Sequence, residues 1–122
     1  MNALVFVLAA LGGGIGAAAR FVVDAAVTRM LGTRFPWGIL VVNTTGSLLL
    51  GFVTGLAEGE AAWLFVLGAG VLGGYTTFST AIVDTVLLVE RRAWGSALAN
   101  ALATVLVTVL AAALGLLLAR AL

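Results

Sequence analysis

The chain contains neither cysteine nor histidine. That removes disulfides, thiolate chemistry, soft-metal sites and imidazole acid–base catalysis together. Charge is scarce as well: only 9% of the 122 residues are charged, against about a quarter in a soluble domain. A net charge of +1 leaves no concentrated basic footprint, so nucleic acid is not expected as a partner. An enzyme would have to work with five carboxylates and eleven threonines, and no nucleophile, base and orienting group come together. A non-enzymatic role is expected.

What the chain does have is hydrophobic length. Apolar residues make up 63% of it, so lipid rather than water is its main solvent. A spanning helix needs about 20 mostly apolar residues at roughly 1.5 Å each, which leaves room for four or five spans and no separate soluble domain. Residues 1–122 read as one transmembrane domain of an all-α, multi-pass protein of the inner or plasma membrane. No Lys or Arg precedes the apolar run from Met1 to Leu11; it reads as part of the first span, not as a cleaved signal.

Helix one is expected from Ala3 to about Val23, with Asp24, Arg29 and Arg34 marking its exit. Pro36, the single proline, stands where a first helical turn tolerates a missing amide hydrogen. Helix two follows from about Trp37 to Ala57. Glu58-Gly59-Glu60 is an acidic turn, Trp63 opens a third run to Val89, and Trp94 opens a fourth that ends near Arg120. All three tryptophans thus stand at helix entrances, where an amphipathic ring prefers the headgroup boundary. Four spans put both termini and the acidic turn on one side with Arg120 alone, and Arg29, Arg34, Arg91 and Arg92 on the other. The positive-inside rule places the Arg-rich connections in the cytoplasm.

Small residues recur four apart as Gly12/Gly16, Gly51/Gly55 and Gly70/Gly74, a spacing that lets helix backbones approach closely in lipid. The third run is different. Its segment Gly73-Gly74-Tyr75-Thr76-Thr77-Phe78-Ser79-Thr80 joins a glycine pair, free to adopt unusual dihedrals, to four serine and threonine hydroxyls. It is read as a mid-membrane break, since broken helices offer carbonyls and hydroxyls to ions and irregular backbone at that depth must be buried or line a wet cavity. Asn43 lies inside helix two, either as a donor to an anion or as a helix-to-helix hydrogen bond. Asn100, Thr104 and Thr108 stack on one face of helix four as a polar track, against which stands threonine bonding back to its own helix. Arg20 and Asp84 are the charges well inside apolar runs; Arg20 can snorkel to the boundary, and Asp84 falls between the break and the loop, at a vestibule or as a structural charge.

On Gly12-Gly13-Gly14-Ile15-Gly16-Ala17 with Arg20 and Phe21, on Pro36-Trp37-Gly38 through Val42-Asn43 with Gly46-Ser47 and Gly51, and above all on Gly73–Thr80, the chain resembles the CrcB/Fluc family of fluoride channels. The resemblance implies an antiparallel dual-topology dimer with two fluoride pores that export the ion passively, and a structural sodium at the dimer interface. Gly73 and Thr76 match the positions whose carbonyls bind that sodium. Asn43 and Phe78 match pore positions, and Thr77, Ser79, Thr80, Asn100, Thr104 and Thr108 complete the expected ion pathway.

Three positions depart from the family pattern: Ala81 stands where a second pore phenylalanine is usual, Ile39 where a threonine is, and Asp84 where a glutamate is. With the charge bias, these lead to the expectation of a subunit of fixed orientation paired with an oppositely oriented paralogue, a homodimer being the alternative. Two further readings stay open: a proton-coupled small transporter, as a fluoride exchanger or of the small multidrug type, and a non-conducting partner subunit of a heterodimeric channel. Multidrug export wants a carboxylate at mid-membrane, and helix one has none.

Overall fold

The computed structural model describes residues 2–57 and 62–122; the acidic turn expected at Glu58-Gly59-Glu60 lies outside them. Among the described residues the chain is helical throughout, with four stretches long and apolar enough to cross a membrane. The first, α1 (Ala3–Leu31), starts where the Asn2 side chain accepts from the Val5 amide at 3.1 Å. It runs eight residues past the expected end at Val23, because charge alone does not stop a helix. Gly32 does, at φ +86°, with its amide bonded to the Thr28 carbonyl. At about 43 Å, α1 exceeds the roughly 30 Å hydrocarbon thickness, and its charged last turns reach the headgroup region.

The second span, α2 (Trp37–Gly55), begins directly after Pro36. Its apolar window is 39% buried, against 11% in α1 and in the fourth span, α6 (Trp94–Arg120), so α2 is the central helix. The third span is composite: α3 (Ala62–Leu64), a π-helical stretch (Phe65–Leu72), α4 (Gly73–Tyr75) and, after a break, α5 (Phe78–Glu90). Trp37 and Trp94 open their helices and Trp63 stands in the first turn of the third span.

All three spaced glycine pairs sit where helix backbones touch within the chain. A Cβ on Gly74 would overlap the Gly13 carbonyl, and one on Gly16 the Val71 carbonyl; one on Gly51 would overlap the Ala112 carbonyl. Because the contact positions advance together along both helices, α1 runs parallel to the first half of the third span and α2 runs parallel to α6. Two parallel pairs with opposite directions put the α1–α2 and α5–α6 connections at one end, and both line a common cavity there. The arginine-rich connections therefore share one end, as the charge pattern requires. Against other helices, α5 packs chiefly on α6, which leaves Phe78, Ile82, Val83 and Val86 as an exposed apolar stripe on its outer face.

Candidate functional site

The break is shorter than the expected segment and falls within it, beyond the glycine pair. Gly73 keeps right-handed helical dihedrals (φ −63°, ψ −37°), so unusual glycine dihedrals are not what opens the helix. Thr76 (ψ 155°) and Thr77 (φ −150°, ψ 119°) are the two extended residues. The glycine at 74 serves close approach to α1 instead, as its contact with Gly13 shows.

Two extended residues in lipid need hydrogen-bond partners from outside the helix. Asn43 of α2 supplies them. Its Oδ1 accepts from the Thr77 amide and its Nδ2 donates to the Thr77 carbonyl, both at 2.8 Å, with only 5% of the residue exposed. The helix-to-helix bond weighed for Asn43 is therefore present, made to backbone rather than to a side chain, and one Nδ2 hydrogen stays outside this pair.

Below the break α5 is capped by Thr77, whose Oγ1 accepts from the Thr80 amide at 3.3 Å and donates to the Thr80 hydroxyl at 3.0 Å. The Ser79 hydroxyl lies 3.3 Å from the same Thr77 oxygen. Above it, Thr76 bonds the Leu72 carbonyl through its amide at 2.9 Å and its hydroxyl at 3.0 Å. Both carbonyls expected to face a cation have consequently lost their usual donors. In a continuous helix the Gly73 carbonyl takes the Thr77 amide and the Thr76 carbonyl takes the Thr80 amide; here those amides go to Asn43 and to the Thr77 hydroxyl.

Phe78 opens α5 with 72% of its surface exposed, so the described residues leave most of the ring uncovered. Asn43, Thr77, Ser79 and Thr80 thus form one cluster beside Phe78. The helix-four track is not part of it. Asn100, 2% exposed, donates to the Thr85 hydroxyl at 2.9 Å and to the Ala81 carbonyl at 3.4 Å, tying α6 to α5. The Thr108 hydroxyl bonds back to the Thr104 carbonyl, the local alternative weighed for that pair.

Ala81, one turn on from Phe78 in α5, is buried at 3% exposure, and its carbonyl accepts from Asn100 of α6. Ile39 and Asp84 line a cavity of about 200 Å³ with Asp24, Thr28, Thr80 and Arg91. It runs from the break side of α5 to the arginine-rich connections, the place expected for a vestibule. Oδ2 of Asp84 is buried there without a hydrogen-bond partner among the described residues. Arg20 is half-buried one helical turn before Asp24 and does not line the cavity.

Sequence reasoning missed Asp24 as a cavity residue, having read it as an exit charge. It also missed Thr85 as the partner of Asn100, and the hydroxyl pair of Thr45 and Tyr75 at 2.9 Å.

Four apolar spans, a third span opened by two extended residues and a buried amide bonded to the opening define a multi-pass membrane protein of the broken-helix kind. The chain belongs to the CrcB family: the family model described as "CrcB-like protein, Camphor Resistance (CrcB)" matches residues 7–116. It is 41% identical over 119 residues to fluoride-specific ion channel FluC 1 of Leifsonia xyli subsp. xyli, covering 95% of this chain and 87% of that one. It is 42% identical over 125 residues to fluoride-specific ion channel FluC of Phenylobacterium zucineum, covering 98% and 97%. With fluoride-specific ion channel FluC 2 of Mycobacterium bovis it shares 52% over 88 residues, covering 72% and 69%. Four spans and this family together place the protein in the inner membrane.

Proposed function

We propose that the chain is a subunit of a fluoride channel that lets the ion leave the cytoplasm passively. The observation that carries this reading is the Thr76–Thr77 opening held by Asn43, where neutral polar groups stand next in the chain to the exposed Phe78 and none of the clustered side chains is charged. A phenyl edge carries the positive part of the ring quadrupole. It faces a small anion without the deep trap a full positive charge would make, and conduction needs release as much as binding. Close relatives that carry the name fluoride-specific ion channel support the choice of ion. On this reading Asn43, Phe78, Thr77, Ser79 and Thr80 line the path, and the Asp84 cavity is its cytoplasmic mouth.

The channel is an antiparallel dimer in this reading, because Gly73, Phe78 and Ser79 are exposed around the break and irregular backbone at that depth has to be covered by protein or line a wet cavity. An oppositely oriented paralogue is the favoured partner: Ala81 supplies no second ring to the path, and numbered relatives named FluC 1 and FluC 2 fit paired subunits. A sodium ion bound by the Gly73 and Thr76 carbonyls suits the donor set, since a hard cation takes neutral oxygens and these two have lost their helical donors. Bound there, it would supply a fixed positive charge at the dimer centre.

Fluoride efflux from liposomes, followed with a fluoride electrode, tests the function. Efflux well above protein-free vesicles is expected from this chain alone or with a paralogue, and no efflux from either preparation overturns the reading. Uphill fluoride movement driven by a proton gradient would instead make the protein an exchanger.

A further inference from the structure

The two threonines of the break and Asn43 are joined by a relationship that concerns the cation rather than the anion. We infer that the side chains of Asn43 and Thr77 are positioning residues for the sodium site: each takes an amide that would otherwise occupy one of its two carbonyls. The inference rests on the sodium reading above.

The chain is helical up to Thr76, whose amide still bonds Leu72 at 2.9 Å. Gly73 has helical ψ, so its carbonyl points along the helix axis towards the break, where the next donor in line is the Thr77 amide. Asn43 Oδ1 holds that amide at 2.8 Å, and the return bond from Asn43 Nδ2 to the Thr77 carbonyl fixes the peptide from its other side. One turn later the pattern repeats. The Thr80 amide would bond the Thr76 carbonyl, and the Thr77 hydroxyl takes it instead at 3.3 Å, while ψ 155° at Thr76 swings its carbonyl off the helix axis. Two carbonyls are opened by two side-chain acceptors, each intercepting the donor four residues on.

Removal of either acceptor has a defined result at a buried site, Asn43 being 5% and Thr77 8% exposed. An amide without a partner in lipid is costly, and the nearest alternative acceptor is the carbonyl four residues back. Without the Asn43 side chain the Thr77 amide returns to Gly73, and without the Thr77 hydroxyl the Thr80 amide returns to Thr76. In each case one cation ligand is lost while the helix becomes more regular. Asn43 therefore serves the anion path and the cation site through opposite edges of one amide.

The test is sodium binding by the full chain in detergent without fluoride, read as the sodium-dependent rise in thermal unfolding temperature with choline as the control cation. Asn43→Ala and Thr77→Val are expected to weaken sodium binding about tenfold or more. Thr77→Ser keeps the hydroxyl, and Asn100→Ala removes a buried amide that ties α5 to α6 away from the break; both stay within about threefold of the parent. Parent-like binding by Asn43→Ala and Thr77→Val overturns the positioning role and leaves the sodium reading standing. No sodium-dependent shift in the parent chain, alone or assembled with a paralogue, removes the sodium reading and this inference with it. Should Asn43→Ala fail to fold, the Thr77→Val and Thr77→Ser pair decides, and Asn43→Asp, which keeps an acceptor for the Thr77 amide, must retain sodium or the inference fails.

Discussion

Asn43 and Thr77, 34 residues apart in sequence, pair as two strands of a sheet would, with one carboxamide standing in for a neighbouring backbone. The pair lets a membrane helix open without leaving its amide and carbonyl unsatisfied. It joins the central helix α2 to the one place in the third span where the chain is extended.

The stability of the subunit should therefore depend on Asn43 more than on any other single polar side chain. Asn43→Leu keeps the branched heavy-atom skeleton but removes both hydrogen bonds that hold the Thr77 peptide open, each worth about 1–3 kcal/mol when a buried partner is lost. A fall of about 2 kcal/mol or more is expected in denaturant unfolding of the detergent-solubilised chain. Asn43→Leu as stable as the parent would show that the pairing contributes nothing.

Glycines that look alike in sequence divide by what faces them. Gly74→Ala places a methyl against the Gly13 backbone, which has no flexible end to move aside, and should destabilise by about 1–3 kcal/mol as overpacking does. Gly95→Ala meets nothing within 4 Å in the first turn of α6 and should stay within about 0.5 kcal/mol. Equal effects at the two positions, measured by thermal unfolding, would remove close helix approach as the reason for the Gly70/Gly74 pair.

Much of this architecture was legible beforehand because hydropathy, tryptophan position and glycine spacing are local signals. The spans, the shared end of the arginine-rich connections and the glycine contacts all follow from them. The break was legible in place but not in cause. A glycine pair followed by hydroxyls suggests free dihedrals at Gly73, whereas the opening sits at Thr76 and Thr77, where a partner from α2 makes it affordable. That partner is a long-range contact, which no periodicity encodes. The π-helical stretch from Phe65 to Leu72 has no mark in the residue pattern, and Asp24 was read as an exit charge because the end of α1 depends on the dihedral of Gly32.

Phe78 should separate conduction from folding. With 72% of its surface exposed, Phe78→Ala removes little buried area from the subunit and should shift its unfolding by less than about 0.5 kcal/mol. Fluoride efflux should fall about tenfold or more, the loss that one favourable contact of about 1.4 kcal/mol in the limiting state produces. Unchanged efflux with reduced dimer content would make Phe78 an interface residue only.

Ala81 shows why a family residue cannot simply be restored. The position is 3% exposed, faces α6, and offers its carbonyl to Thr85 at 2.9 Å and to Asn100 at 3.4 Å. Ala81→Phe adds a ring to a closed contact, so a loss of about 1–3 kcal/mol is expected, measurable as a lower unfolding midpoint. A more stable and faster-conducting Ala81→Phe homodimer would argue against a paralogue as the source of the second ring.

On the proposed path, the cavity at the arginine-rich end carries a charge of the wrong sign for an anion. Asp24 and Asp84 line it with Arg91 as the counter-charge, and a carboxylate about 6 Å from a passing anion repels it by about 0.7 kcal/mol in water, about a threefold reduction in local concentration. Asp24→Asn should raise fluoride flux about threefold when the ion enters from that side at low ionic strength. Because the Debye length shrinks to about 3 Å at 1 M salt, the difference should vanish there. Flux from oriented preparations at 10 mM and 1 M background salt decides the matter: a gain that survives high salt would mean that Asp24 acts by packing against Gly38, which it touches across the α1–α2 contact, and not by its field.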